Sequence, residues 1–414
     1  MKHTYRHIIN RHSNRHTGWL LLSLLLLCLT ACYSYDEYQT VDTHSDEQTT
    51  TSTQLYIYVH APQTAVPTRA YTDEDDVDPI NNEAMVYSLQ IWVFTHDTKK
   101  LIGYFSSTGT SALNQPEGYE VYQLTIDEDY AQMEEASREK VDVYVLANVT
   151  EDNCHLTLDH STTREELEAA VLAHGTQDAF GLTAPITVVP EGVGLPMSGV
   201  LRDQKVTGTA PVLRLGDSSQ MAKVSLIRTV SKLRFAFANQ TDNESLVINS
   251  IKLNAYMIPE EQYLFMNVPY DKMTCHIKTE SGYNTTAPEL LAATINDVPA
   301  IDQPIRYAWG NNKTLKPQEY ETMMDEAVAD GYLTQRMYYL RESDKKLQGE
   351  IKYQIGEGGE EQTATFQMVD EGGFSRNHIW TVYAYQAQAQ LHVVVVTIAS
   401  WNTTDEKKYD FYNW

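Results

Sequence analysis

Residue types that do chemistry are present in this 414-residue chain, but not at the spacings chemistry needs. Cys154-His155 and His160 lie close together, yet no CxxC, HExxH or paired HxH accompanies them, so a zinc site lacks its ligand pattern. His378, in FSRNHIW beside an expected strand, has no partner pattern for a general base and reads as a surface or capping histidine. Ser198, in LPMSG, lacks the nucleophile-elbow pattern, and no glycine-rich phosphate cradle occurs. Glu357, Glu360 and Glu361 flank the glycines of GEGGEE, which looks like a hairpin turn. Carboxylates are plentiful, and none is singled out as half of a glycosidase pair. The acidic stretch at 73–78 puts Val77 where a calcium ligand should sit and Asp78 where the turn glycine should sit, so it reads as a solvated loop. The expectation is a protein that is not an enzyme and takes no cofactor or metal.

The most informative residue is Cys32. A basic segment (Lys2, Arg6, Arg11, Arg15) with no acid precedes an apolar run from Trp19 to Leu29, then Thr30-Ala31-Cys32. Basic n-region followed by a short apolar h-region is a secretory signal, too short for a spanning helix. Leu29, two small residues before Cys32, resembles the lipobox of bacterial lipoproteins. That resemblance implies a diacylglycerol on the Cys32 sulfur, cleavage after residue 31 and acylation of the new amino group, enough for stable anchoring. The plain alternative is a signal peptide with an incidental cysteine. Asp36 and Glu37 resemble the acidic signal that sends Bacteroidetes lipoproteins to the outer face of the outer membrane.

The first 31 residues hold four of the 31 basic residues and none of the 56 acids, which leaves a formal charge of −29. A backbone-phosphate footprint needs a basic face, so nucleic acid and anionic lipid surfaces are not expected partners. Cys154 and Cys275 read as free buried thiols; sequence alone does not establish that they meet in a disulfide. Tyrosine is abundant, 27 residues against nine phenylalanines, which favours strands in thin sandwiches, where the ring is buried and the hydroxyl stays wet.

These residues are carried by elements expected as follows. Residues 1–31 are the signal peptide and 32–53 a flexible tether. QLYIYVH at 54–60 is a strand with Leu55, Ile57 and Val59 on one face and Tyr56, Tyr58 and His60 on the other. Segments 88–94 and 101–105 form a hairpin, followed by strands 119–126 and 140–147, the latter alternating Val141, Val143, Val145 against Asp142, Tyr144, Leu146. Thr163 with Glu166 is a capping box, opening a helix through His174. Strands continue at 212–215, 224–227, 232–238, 246–256, 335–340, 349–355, 363–368, 378–385 and 391–398, with a short helix near 320–328. Regular short strands argue for antiparallel sandwiches. The boundary falls at 239–245, giving a first domain at 54–240 and a second at 241–414.

Several segments together resemble the fimbrillin superfamily of Bacteroidetes. They are the lipobox at Cys32, Arg69 after the first strand, SLQIWVF (88–94), VYVLAN (143–148), LPMSG (195–199) and SLIRTVSKLRFAF (225–237). IKLNAYMIP (251–259), YYLRESD (338–344), FSRNHIWTVYAY (374–385) and the approach to Ser400-Trp401 complete the series. The resemblance implies a mainly β protein of two tandem antiparallel, transthyretin-like β-sandwich domains with one or two short helices. It implies a structural subunit of a cell-surface fimbrium, shaft, accessory or tip, delivered to the outer membrane by its lipid. It also implies cleavage by an arginine-specific protease at Arg69–Ala70, loss of the first strand, and a groove once plugged by Leu55, Ile57 and Val59. Other fimbrial subunits are then the partners, assembled head to tail by strand exchange. Within the tail 402–414, Tyr409 and Phe411 share one face, and Asp410, Tyr412 and Trp414 the other; the tail is either a donor strand or a strand closing its own domain. The alternatives are a lipid-anchored glycan-binding module and a base subunit that stays uncut.

Overall fold

The alternating apolar segments fold as strands in the computed structural model, which describes residues 52–61, 83, 85–108, 119–150, 153–154, 156–172, 189, 192–217, 220–239, 244–266, 275–291, 293–296, 298, 300, 334–367, 373–387 and 389–398. Cys32, Arg69, Ala70, the acidic stretch 73–78, the segment 320–328 and the tail 402–414, with Tyr409, Phe411, Tyr412 and Trp414, lie outside the described residues.

Two pairs of facing sheets enclose two hydrophobic cores. In the first, one sheet contains β1 (Gln54–His60), β4 (Tyr119–Thr125), β8 (Val206–Thr209), β9 (Val212–Asp217), β10 (Gln220–Met221) and β11 (Lys223–Ser225). The facing sheet runs in the order β12 (Ile227–Arg228), β7 (Met197–Gln204), β5 (Val141–Ala147), β2 (Ser88–Thr95), β3 (Leu101–Thr108). Leu55, Ile57, Val59, Leu124, Leu213 and Val224 from one sheet share a core with Leu89, Ile91, Val143 and Val145 from the other. In the second pair, β16 (Thr334–Arg341), β13 (Val230–Asn239), β19 (Ile379–Ala387) and β20 (Gln390–Ile398) face β14 (Leu246–Leu253), β17 (Gln348–Ile355) and β18 (Gln362–Gln367). Leu233, Phe235, Ile251, Ile351, Trp380 and Val382 lie in this second core. The described residues are mainly β, arranged as β-sandwiches, with short helices α1 (Glu128–Ala131) and α2 (Arg164–Ala169).

The structure differs from the sequence expectations in four places. The sheets are mixed: β1 runs parallel to β9 and β11, and β13 runs parallel to β19. All seven residues of β5 are buried, although alternation predicts one wet face. The cover is the stretch 156–169, where Trp92 Nε1 donates to Asp159 O at 2.8 Å and Gln90 Nε2 to Leu158 O at 2.8 Å. The capping box at Thr163 and Glu166 is present, but α2 ends at Ala169; Ala170 is extended and β6 (Val171–Leu172) pairs with β15 (Gln262–Tyr263). Finally, β13 precedes the expected boundary at 239–245, yet its partners β16 and β19 both lie beyond it, so the chain changes core near Arg228–Val230.

The two cores are tied together by β15 and the residues after it. Leu264 and Phe265 enter the first core, where the Phe265 ring meets Tyr144 edge-on at 5.2 Å. Arg376, next to β19, donates to the carbonyls of Tyr263 at 2.5 Å and Leu264 at 2.9 Å. This splice is part of why the described residues form one compact unit within Thr51–Trp414.

Candidate functional site

β1 is enclosed on both edges. Its whole length pairs antiparallel with β4, from Gln54↔Thr125 to His60↔Tyr119. On the other edge its first half pairs parallel with β9 (Leu55↔Leu213) and its second half parallel with β11 (Val59↔Val224). Leu55, Ile57 and Val59 are fully buried, and their cross-strand neighbours Leu124, Tyr122, Leu213 and Val224 are buried with them. The alternation of aliphatic residues with Gln54, Tyr56 and Tyr58 is what a strand with one core face requires.

Both ends of the strand are fastened. Gln54 N donates to Pro211 O at 2.9 Å, Ile126 N to Thr53 O at 3.2 Å, and Leu226 N to His60 O at 2.8 Å. His60 is only 4% exposed. Burial, with the Lys223 charge on β11, pushes its imidazole down from 6.5 to about 4, so it is neutral at physiological pH. β11 in turn is held close to β7: a Cβ on Gly199 would stand 2.7 Å from Ser225 O and 2.8 Å from Val224 Cγ1. Gly199 of the LPMSG segment is therefore a close-approach glycine in the wall beside β1. Ser198 serves structure as well, donating to Leu264 O at 2.7 Å.

Immediately beyond 62–82, which carries Arg69, the chain is clamped to both cores. Glu83, buried, pairs with Lys232 Nζ at 2.6 Å and accepts from Tyr339 Oη at 2.5 Å, while Arg228 Nε donates to its carbonyl at 3.1 Å. Burial works to raise the Glu83 carboxyl, but Lys232 and Arg228 hold it below its ordinary value. Two residues on, Met85 O accepts from Asn148 Nδ2 at 2.7 Å and Tyr87 N donates to Asn148 Oδ1 at 2.7 Å.

Two other buried ionic groups were not anticipated. Glu342 and Arg376, both fully buried, pair at 2.6 Å. Asp142, also fully buried, lies 2.7 Å from Arg164 and 2.7 Å from His96 Nδ1. Arg164 and Arg202 also reach Glu168, which accepts from Tyr144 Oη at 2.6 Å. The one signal for them was a charge inside an apolar, strand-like run, as in KVDVYVLA and YYLRESD.

The remaining sequence candidates land in structural roles. His378 is buried, not a surface residue, with Nδ1 2.7 Å from Arg376 O. Cys154 and Cys275 are free thiols; Cys154 is buried and Cys275 half-buried. Glu357, Glu360 and Glu361 lie in the turn between β17 and β18, where Gly356 and Gly358 adopt positive φ. Among the described residues no group of three His, Cys, Asp or Glu side chains is placed to hold a metal ion, and no helix is long and apolar enough to cross a membrane.

No family model matches the chain, and no curated protein matches it in sequence. Among solved structures it is similar to a protein assigned to cell adhesion from Parabacteroides distasonis ATCC 8503, at 15% identity and a TM-score of 0.45, over 84% of this chain and 98% of that one. It is similar to the tip fimbrial protein Mfa3 from Porphyromonas gingivalis at 11% identity and a TM-score of 0.43, over 84% and 99%. A fimbrial assembly protein from Parabacteroides distasonis ATCC 8503 matches at 12% identity and a TM-score of 0.40, over 84% and 96%.

Proposed function

We propose that this protein is a structural subunit of a cell-surface fimbrium, delivered as a lipoprotein anchored through Cys32, with β1 as a removable plug. The observation that carries this reading is the setting of β1. It is a fully enclosed strand, joined to the body through the stretch 62–82, and Arg69 lies nine residues past its end. A cut at Arg69–Ala70 leaves β1 held by non-covalent contacts alone. Its departure uncovers the edges of β4, β9 and β11 and opens a slot where three aliphatic side chains were worth about 1.5–3 kcal/mol each. Unpaired edges beside an apolar slot are what strand addition needs. A strand supplied by another subunit makes a head-to-tail contact that extends without closing. No chemistry beyond lipidation and cleavage enters this role.

Incubation of the lipid-free precursor with an arginine-specific protease tests it. On a denaturing gel run without boiling, wild type gives a ladder of oligomers and Arg69→Ala gives none. A cut chain that stays monomeric leaves a capping subunit or a surface-binding module, and no cut near Arg69 removes the mechanism.

A further inference from the structure

The plug strand carries one titratable side chain that is shut away from water, and it sits at the end nearest the proposed cut. His60 closes β1 opposite Tyr119 of β4 and Ser225 of β11. Among the described residues, the charged groups on the strands paired with it are Lys223, two residues back on β11 and on the same face as Tyr58 and His60, and Glu120 of β4, which pairs with Val59 and so lies on the other face of the sheet. The Glu120 carboxylate accepts from Tyr122 Oη at 2.7 Å. A second positive charge at position 60 would therefore sit buried on the same face as the Lys223 ammonium, while the Glu120 carboxylate faces the other way.

We propose that His60 makes retention of the cut β1 strand pH-dependent, so that mild acid loosens the plug and favours its replacement by a strand that stays uncharged at that position. This rests on the strand-replacement reading above. The direction follows from linkage. In the groove the imidazole takes up a proton only near pH 4, whereas in a released strand it does so near 6.5. The retention due to neutral His60 is complete above 6.5 and is lost as pH falls from there towards 4. Between pH 7.5 and pH 5 the retention equilibrium falls about 25-fold. Nothing else on β1 titrates in that window, because its remaining side chains are Gln54, Leu55, Tyr56, Ile57, Tyr58 and Val59. Carboxylates of the groove wall can add their own pH dependence, so the gate is read as the part that vanishes when His60 is replaced.

The test uses the full lipid-free chain with a sequence-specific protease site placed within 62–82, so that the nick does not depend on Arg69. After nicking, loss of the N-terminal fragment is followed by its displacement with excess labelled peptide of residues 52–61. Wild type is expected to hold its fragment about 25-fold less tightly at pH 5 than at pH 7.5. His60→Gln and, as a second neutral variant, His60→Phe are expected to cut that ratio to below about 3-fold. The same ratio in wild type and both variants overturns the gate while leaving strand replacement intact. A fragment that never exchanges at either pH overturns the strand-replacement reading and the gate together.

Discussion

Glu83 shows how much one carboxylate can do in a chain with 56 acids. It is buried against Lys232 at 2.6 Å and accepts from Tyr339. Removing one partner of a buried pair strands the other, which costs about 3–5 kcal/mol. Glu83→Gln is expected to lower the unfolding free energy by an amount in that range, read as a lower urea midpoint at an unchanged slope. A shift below about 1 kcal/mol would mean that Lys232 finds another partner. Nothing in the sequence around Glu83 announces this role, because Lys232 is 149 positions away and Tyr339 is 256 away. The same holds for Asp142, which sits on the nominally polar phase of KVDVYVLA. Its partners come from α2 and the β2–β3 turn, and alternation carries no information about what covers a sheet's second face. Leu55, Ile57 and Val59 were legible for the opposite reason: their burial follows from period-two alternation within seven residues, a purely local signal.

Among the elements, β1 gains its enclosure from two strands that arrive late in the chain. The span 54–60, the 88–105 hairpin and the capping box at Thr163 could all be read locally. That β1 lies parallel to β9 and β11 could not, because parallel pairing is set by long-range crossovers rather than by neighbouring turns. The wall formed by β11 also depends on one atom-scale detail, the missing side chain at Gly199. A Cβ there meets Ser225 O and Val224 Cγ1 well inside contact distance, so Gly199→Val must displace β11 from β7. Overpacking of this kind costs about 1–3 kcal/mol. The variant is expected to lose that much stability and to release a nicked β1 faster than wild type; stability loss without faster release would place the strain away from the groove.

At the scale of the whole molecule, the described residues hold two large hydrophobic cores, and these do not part at the run that composition suggests. The polar run 239–245 reads as a linker by content. The chain has already entered the second sheet by then, because β13 is hydrogen-bonded to β16 and β19 before that run begins. The Gln262–Phe265 splice and the Glu83 strap then tie both cores into one body. On the proposed reading, a cut within 62–82 falls between a strand that leaves and the Glu83 strap that holds the body together, which confines the change to β1 and its slot.

That division makes one measurement decisive. Oligomers formed after arginine-specific cleavage can be isolated, dissociated by boiling and weighed by mass spectrometry. If β1 is a plug replaced by another subunit's strand, every chain in the oligomer begins at Ala70 and no fragment containing residues 54–60 accompanies it. Oligomers whose chains still carry Leu55, Ile57 and Val59, covalently or as a retained fragment, would contradict the removable plug.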